Sequence, residues 1–204
     1  MNNDTPMTLY SMRLAESIWN NLVDDLQDEE ITKIDRGESV FTESTFKTII
    51  EFFKGKFLIF NENIKYSNEE CDPEKRMLEH IKKEYNESEI KGNSYFVKTQ
   101  KEKDFEIGCL RFNIIDASHE LGHLFLDFET VEFDKVLWAN GAQIESEYIV
   151  DTFSRAFVMP RERFMKIVSL YSYRNKCEIE KVAEAFGVPY ISAYIRGKEL
   201  HLWD

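Results

Sequence analysis

His119-Glu120-Leu121-Gly122-His123 sets two imidazoles four residues apart, with a carboxylate beside the first. On an α-helix, residues four apart lie on one face, so both histidines can reach one metal ion. Glu120 sits where it can accept a proton from water without itself being a ligand. Outward from the motif, Leu121, Leu124, Phe125 and Phe128 recur at helical spacing and predict an apolar side packed into a core. Gly122 costs such a helix about 1 kcal/mol relative to alanine. Its presence there predicts that another backbone, or the metal site, comes close to that turn.

Two histidines do not complete a catalytic metal site, and the stretch 143–153 offers a third ligand. Ile144, Tyr148 and Asp151 fall four and three apart, and no proline or glycine intervenes before Pro160, which predicts a helix. Glu147 and Asp151 are four apart and share a face of it. A glutamate completes a His₂Glu set and leaves a fourth position open. An aspartate one turn later is placed to hold a ligand histidine by its other ring nitrogen. Glu145 is the rival third ligand, but an aspartate six residues on would face elsewhere.

The run Ser118-His119-Glu120-Leu121-Gly122-His123-Leu124-Phe125-Leu126, then Glu147-x-x-x-Asp151-x-Phe153, then Phe157-Val158-Met159-Pro160, resembles the ImmA/IrrE metallopeptidases. That family typically carries A-H-E-L-G-H followed by a helix of the type E-x-E-A-[ND]-x-F-A-A-x-L-L-M-P. The chain departs from the pattern at Ser118, at Ile149-Val150, at Ser154-Arg155, and at Asp127, where many relatives have histidine. None of these positions is a proposed ligand or base. The resemblance covers roughly the C-terminal half of the chain. It implies an α+β fold, a mostly helical minimal zincin with a thermolysin-like core, a small β-sheet beside the HExxH helix and a helix-turn-helix-like C-terminal segment. It also implies an intracellular zinc endopeptidase that cuts a helix-turn-helix repressor of a phage, mobile element or stress regulon.

The residues themselves support metal-assisted hydrolysis, with His119, His123 and Glu147 as metal ligands, Asp151 orienting a ligand histidine and Glu120 as general base. Zinc is favoured by ligand type, although manganese or iron also suit His₂Glu sites. An oxyanion donor is expected from another segment, with Tyr95, Arg111, Tyr190 and His201 as candidates.

A chain of 204 residues with 43% hydrophobic content can bury a core of its own. Its formal charge of -12 argues against nucleic acid as the main partner, because phosphate binding needs a basic surface. It suits a basic protein partner, as a DNA-binding repressor would be. No apolar run has the length of a membrane span, and the start lacks the charged-then-apolar layout of a secretory signal. Cys71, Cys109 and Cys177 are odd in number and widely spaced, reading as free thiols in a reducing cytoplasm.

Around this centre the chain reads as scaffold. Leu14, Ile18, Leu22 and Leu26 predict an amphipathic helix over 9–27, and Phe46, Ile49, Ile50 and Phe53 a second, capped near Thr42 or Ser44. Phe57 to Phe60 predicts a strand, and Asp72-Pro73-Glu74 opens a helix carrying His80, read as a surface or core histidine. Tyr95-Phe96-Val97 and Cys109 to Phe112 predict strands around a polar loop, in a sheet able to align an extended peptide. A metallopeptidase domain is expected over 1–172 and a helical subdomain over 173–204. Between Arg174 and Asp204 five basic residues balance five acidic ones, so helix, Gly187 turn and helix read as a packing or docking unit before a DNA reader. Three functions thus compete: a zinc endopeptidase, a metal-stabilised protein that regulates by binding, and a DNA-binding regulator. Glu120 speaks against the second, because a structural metal needs no general base.

Overall fold

Thr5 starts the first helix, α1 (Pro6–Leu26), by accepting a hydrogen bond from the Thr8 amide, with Pro6 in the first turn. These are features of a computed structural model that describes residues 5–60, 72–85, 93–98, 105–126, 143–174 and 176–203, the side chains of 143–146 excepted. Asp127, Cys71, the side chain of Glu145 and the polar loop 99–104 lie outside the described residues.

The face of α1 differs from the expected one. Thr8, Ser11, Met12, Ala15, Trp19 and Leu22 are buried, whereas Leu14, Ile18 and Leu26 only flank the core. A strict four-residue row winds about 40° around the helix at each step, so it cannot stay on one buried face. Trp19 anchors that face, edge-on to Phe41 and Phe157, with its indole N–H donating to Asp35 Oδ1 at 2.8 Å. Ser11 donates to the Ile149 carbonyl at 2.8 Å and ties α1 to the helix that carries Glu147.

A short helix, α2 (Glu29–Arg36), follows, capped by Asp28 and closed by Gly37 in the left-handed region. Then come α3 (Glu43–Phe52), with Thr42 as its cap, and β1 (Gly55–Ile59). The expected helix at Pro73 is α4 (Pro73–Tyr85), where Asp72 Oδ1 accepts from the Glu74 amide at 3.0 Å.

The sheet has the order β1-β3-β2, with β2 at Ser94–Lys98 and β3 at Phe105–Cys109. β3 pairs parallel to β1 and antiparallel to β2. The expectation of a strand over 109–112 is therefore corrected toward the N-terminus. Phe105, Ile107 and Cys109 alternate into the main core, and Arg111 to Asn113 leave the sheet so that Asn113 can cap the next helix. Glu106 and Tyr95 point to the other face, against Met77 and Ile81 of α4.

The HExxH helix is α5 (Ile114–Phe125), and its partner is α6 (Gln143–Val158). Gly122 faces α6, where a Cβ would stand 2.9 Å from Val150 Cγ1 and 3.1 Å from Phe153 Cδ1. The predicted close approach is thus made by side chains of α6. Pro160 ends that helix and leads into α7 (Arg161–Leu170), followed by a two-residue β4–β5 ladder (Ser172–Tyr173 with Lys176–Cys177). Gly187, left-handed at φ 66°, separates α8 (Ile179–Phe186) from α9 (Tyr190–Glu199). Val182, Ala183, Phe186 and Ala193 of these helices enter the same apolar core as Trp19 and Phe157.

The described chain is thus α+β, 68% helical with a small three-stranded sheet. Among the described residues no helix is long and apolar enough to cross a membrane. Cys109 and Cys177 are free thiols, Cys109 fully buried.

Candidate metal centre

Helix α5 offers Asp116, His119, Glu120 and His123 along one face, and α6 brings Glu147 and Asp151 opposite them. His119 Nε2 lies 3.2 Å from His123 Nε2 and 3.2 Å from Glu147 Oε2, and His123 Nε2 lies 3.8 Å from the same oxygen. A tetrahedral ion with ligands near 2.0–2.1 Å holds neighbouring ligand atoms about 3.3 Å apart, so these three donors have the spacing such an ion requires. They are also of the borderline N and O type that zinc prefers. His119, His123 and Glu147 are the one group of metal-binding type that converges in this way among the described residues.

Asp151 takes the place expected of it. Its Oδ1 lies 2.8 Å from His119 Nδ1, which leaves Nε2 of that ring facing Glu147. A carboxylate at the far ring nitrogen fixes tautomer and orientation and raises ligand basicity. We expect Asp151→Asn to weaken zinc binding by about 10–100-fold in competition with a chromophoric chelator. An affinity equal to that of the unsubstituted protein would mean that this bond does not hold the histidine for the ion.

Burial and neighbouring charges shift the titratable groups around the centre in opposing directions. Burial disfavours the charged form of His119, but the Asp151 hydrogen bond and the carboxylates of Glu120 and Glu147 outweigh it and raise its pKa. Burial and the neighbouring His119 pull His123 down, toward the neutral form that ligates. Glu120 is raised by burial, against the opposing effect of a hydrogen bond from Ser94. Asp116 is raised as well, again by burial. For Asp151 the hydrogen bond and charge of His119, with help from Arg155, overcome burial and lower the pKa.

Ser94 was not visible as a site residue in the sequence. It opens β2, and its hydroxyl donates to Glu120 Oε1 at 2.7 Å, so the sheet holds the carboxylate in place. A lone serine at a strand start carries no signal of that role. Asp116 did carry one, because it precedes His119 by three residues and Glu120 by four.

The oxyanion candidates separate. The Tyr95 hydroxyl donates to the buried Glu106 Oε1 at 2.7 Å, on the α4 side of the sheet, and so is committed elsewhere. His80 Nε2 meets the same Glu106 oxygen at 2.8 Å, which makes His80 a partner of a core carboxylate. Arg111 is exposed and borders a cavity that Asp116 also lines. Tyr190 stacks on Tyr194 within α9, and His201 lies in the turn that follows, at φ 55°.

A search of protein-family models, curated proteins and solved structures finds no match to this chain.

Proposed function

We propose that the protein is a zinc-dependent endopeptidase of the ImmA/IrrE type, in which Glu120 is the general base. The observation that carries this reading is the convergence of His119 Nε2, His123 Nε2 and Glu147 Oε2 with a buried carboxylate on the same helical face. A purely structural zinc site has no use for that carboxylate. When bound, the ion would lower the pKa of water and polarise the scissile carbonyl.

The chain's own residues divide the remaining work. His119, His123 and Glu147 hold the ion, and Asp151 keeps His119 in register. Glu120, held at one oxygen by Ser94, takes a proton from the attacking water and returns it to the departing amine. Among the described residues β2 is an edge of the sheet, and its first residue touches Glu120. A peptide added to that edge would pair its backbone with β2 and run past the base. The substrate is a regulatory protein, a helix-turn-helix repressor by the resemblance, and the charge of -12 favours a basic partner.

The test is mass-spectrometric mapping of new protein N-termini in cells expressing the protein or its Glu120→Gln variant. A terminus that depends on Glu120 and lies within a repressor supports the proposal. With both forms folded and metal-loaded and with stress applied, identical termini would replace it with regulation by binding alone.

A further inference from the structure

The first turns of α4 and α5 and the residue before β2 enclose a cavity of about 580 Å³. Asp72, Glu74, Asn93, Arg111 and Asp116 are among its walls. That volume lies within the roughly 300–1,000 Å³ range of ligand pockets, so a long side chain fits together with the backbone that bears it. Two neighbours place the cavity beside the metal centre. Asp116 stands one turn before His119 and Glu120 on the same face of α5. Asn93 directly precedes Ser94, whose hydroxyl holds Glu120. A peptide lying along β2 with its scissile carbonyl at Glu120 would therefore set a nearby side chain over this cavity.

The charges of the walls select that side chain. Asp72, Glu74 and Asp116 outweigh the single cation Arg111 by two formal negative charges. Two helix N-termini, each equivalent to about half a positive charge, offset only one unit of it. Both ends already have caps, from Asp72 to the Glu74 amide and from Asn113 to the Ile115 amide. Asp116 is different. It is half-buried, and among the described residues no hydrogen bond or ion pair engages its carboxylate. A partly desolvated carboxylate without donors is unfavourable, and a guanidinium or ammonium group supplies what it lacks.

We propose that this cavity is a substrate subsite for an arginine or lysine side chain close to the scissile bond, with Asp116 as its ion-pair partner. The proposal rests on the proteolytic reading for its position and on the cavity for its charge preference, so two measurements separate them.

Random octapeptides containing arginine, lysine and the neutral arginine isostere citrulline are passed over immobilised, zinc-loaded Glu120→Gln protein, and the retained peptides are sequenced by mass spectrometry. Arginine and lysine are expected about tenfold enriched over citrulline at one fixed position. Asp116→Asn should bring that ratio to near one, and Asp116→Glu, which keeps the charge, should retain most of it. Absence of enrichment, or an enrichment indifferent to Asp116→Asn while Asp116→Glu remains folded, overturns the subsite. The unsubstituted protein is then given the same library. Cleavage without a basic residue at a fixed position overturns the subsite and leaves proteolysis standing. Selective retention without cleavage of any peptide, together with no Glu120-dependent termini in cells, upholds the cationic site and removes the proteolytic reading.

Discussion

Glu120→Gln is expected to bind zinc as the unsubstituted protein does and to lose about 10²–10⁴-fold in peptide-bond hydrolysis. The substitution is conservative in shape. The amide keeps an oxygen for the Ser94 hydroxyl, so the 2.7 Å contact between β2 and α5 can persist. Glutamine cannot take a proton from water, however, and the two histidines and Glu147 cannot replace it while they ligate. Metal content by mass spectrometry and turnover of an identified substrate are the two readouts. Loss of the metal would make residue 120 part of the ligand set, and unimpaired hydrolysis would assign the base elsewhere.

The second large effect is on stability. Arg196 of α9 is fully buried, and its guanidinium reaches four partners, two on α1, one on α9 itself and one in the turn after α6. Nε donates to the Met159 carbonyl at 3.0 Å, Nη2 to Glu16 Oε1 at 2.6 Å and Nη1 to Met12 Sδ at 3.1 Å. Nη1 also lies 3.5 Å from Glu199, which Arg155 of α6 holds at 2.7 Å. Removing one member of a buried charge network leaves the others desolvated and unpaired, at a cost of about 3–5 kcal/mol. Arg196→Ala should therefore lower the melting temperature by roughly 6–20 °C, taking 2–4 °C per kcal/mol for a chain of this size. Arg196→Lys keeps a charge but loses the fork that serves several acceptors, and should fall between. A midpoint within about 2 °C of the unsubstituted protein would mean that the network adds nothing net.

Local periodicity made much of the centre readable. His119, His123, Glu147 and Asp151 each act within one helical turn of a partner, so spacing alone grouped them into two pairs. The meeting of the pairs depends on the packing of α5 on α6, and Gly122 was the one residue that announced it. What stayed hidden was decided by distant parts of the chain. Ser94 meets Glu120 only because β2 docks beside α5, and no property of a serine signals that. The register of β3 was missed because Cys109 to Phe112 is as apolar as Phe105 to Cys109. The Asn113 cap decides between them. In α1 the four-residue row of leucine and isoleucine outweighed Trp19, although a tryptophan contributes more buried area than any of them. Helix α2, at 8 residues, is too short for periodicity to register, and its signals were the caps Asp28 and Gly37.

The glycine at 122 has a consequence for the ion as well as for the core. Two of the three donors ride on α5 and one on α6, so the bite of the site is the distance between two helix axes. Val150 and Phe153 fill the space that a methyl group would otherwise claim, and close-packed interiors are stiff. The ligand set thus inherits the rigidity of a helix interface. Little of the ion's binding energy would then go into drawing the donors together, and an ion of the wrong radius would have to deform a packed core to be held.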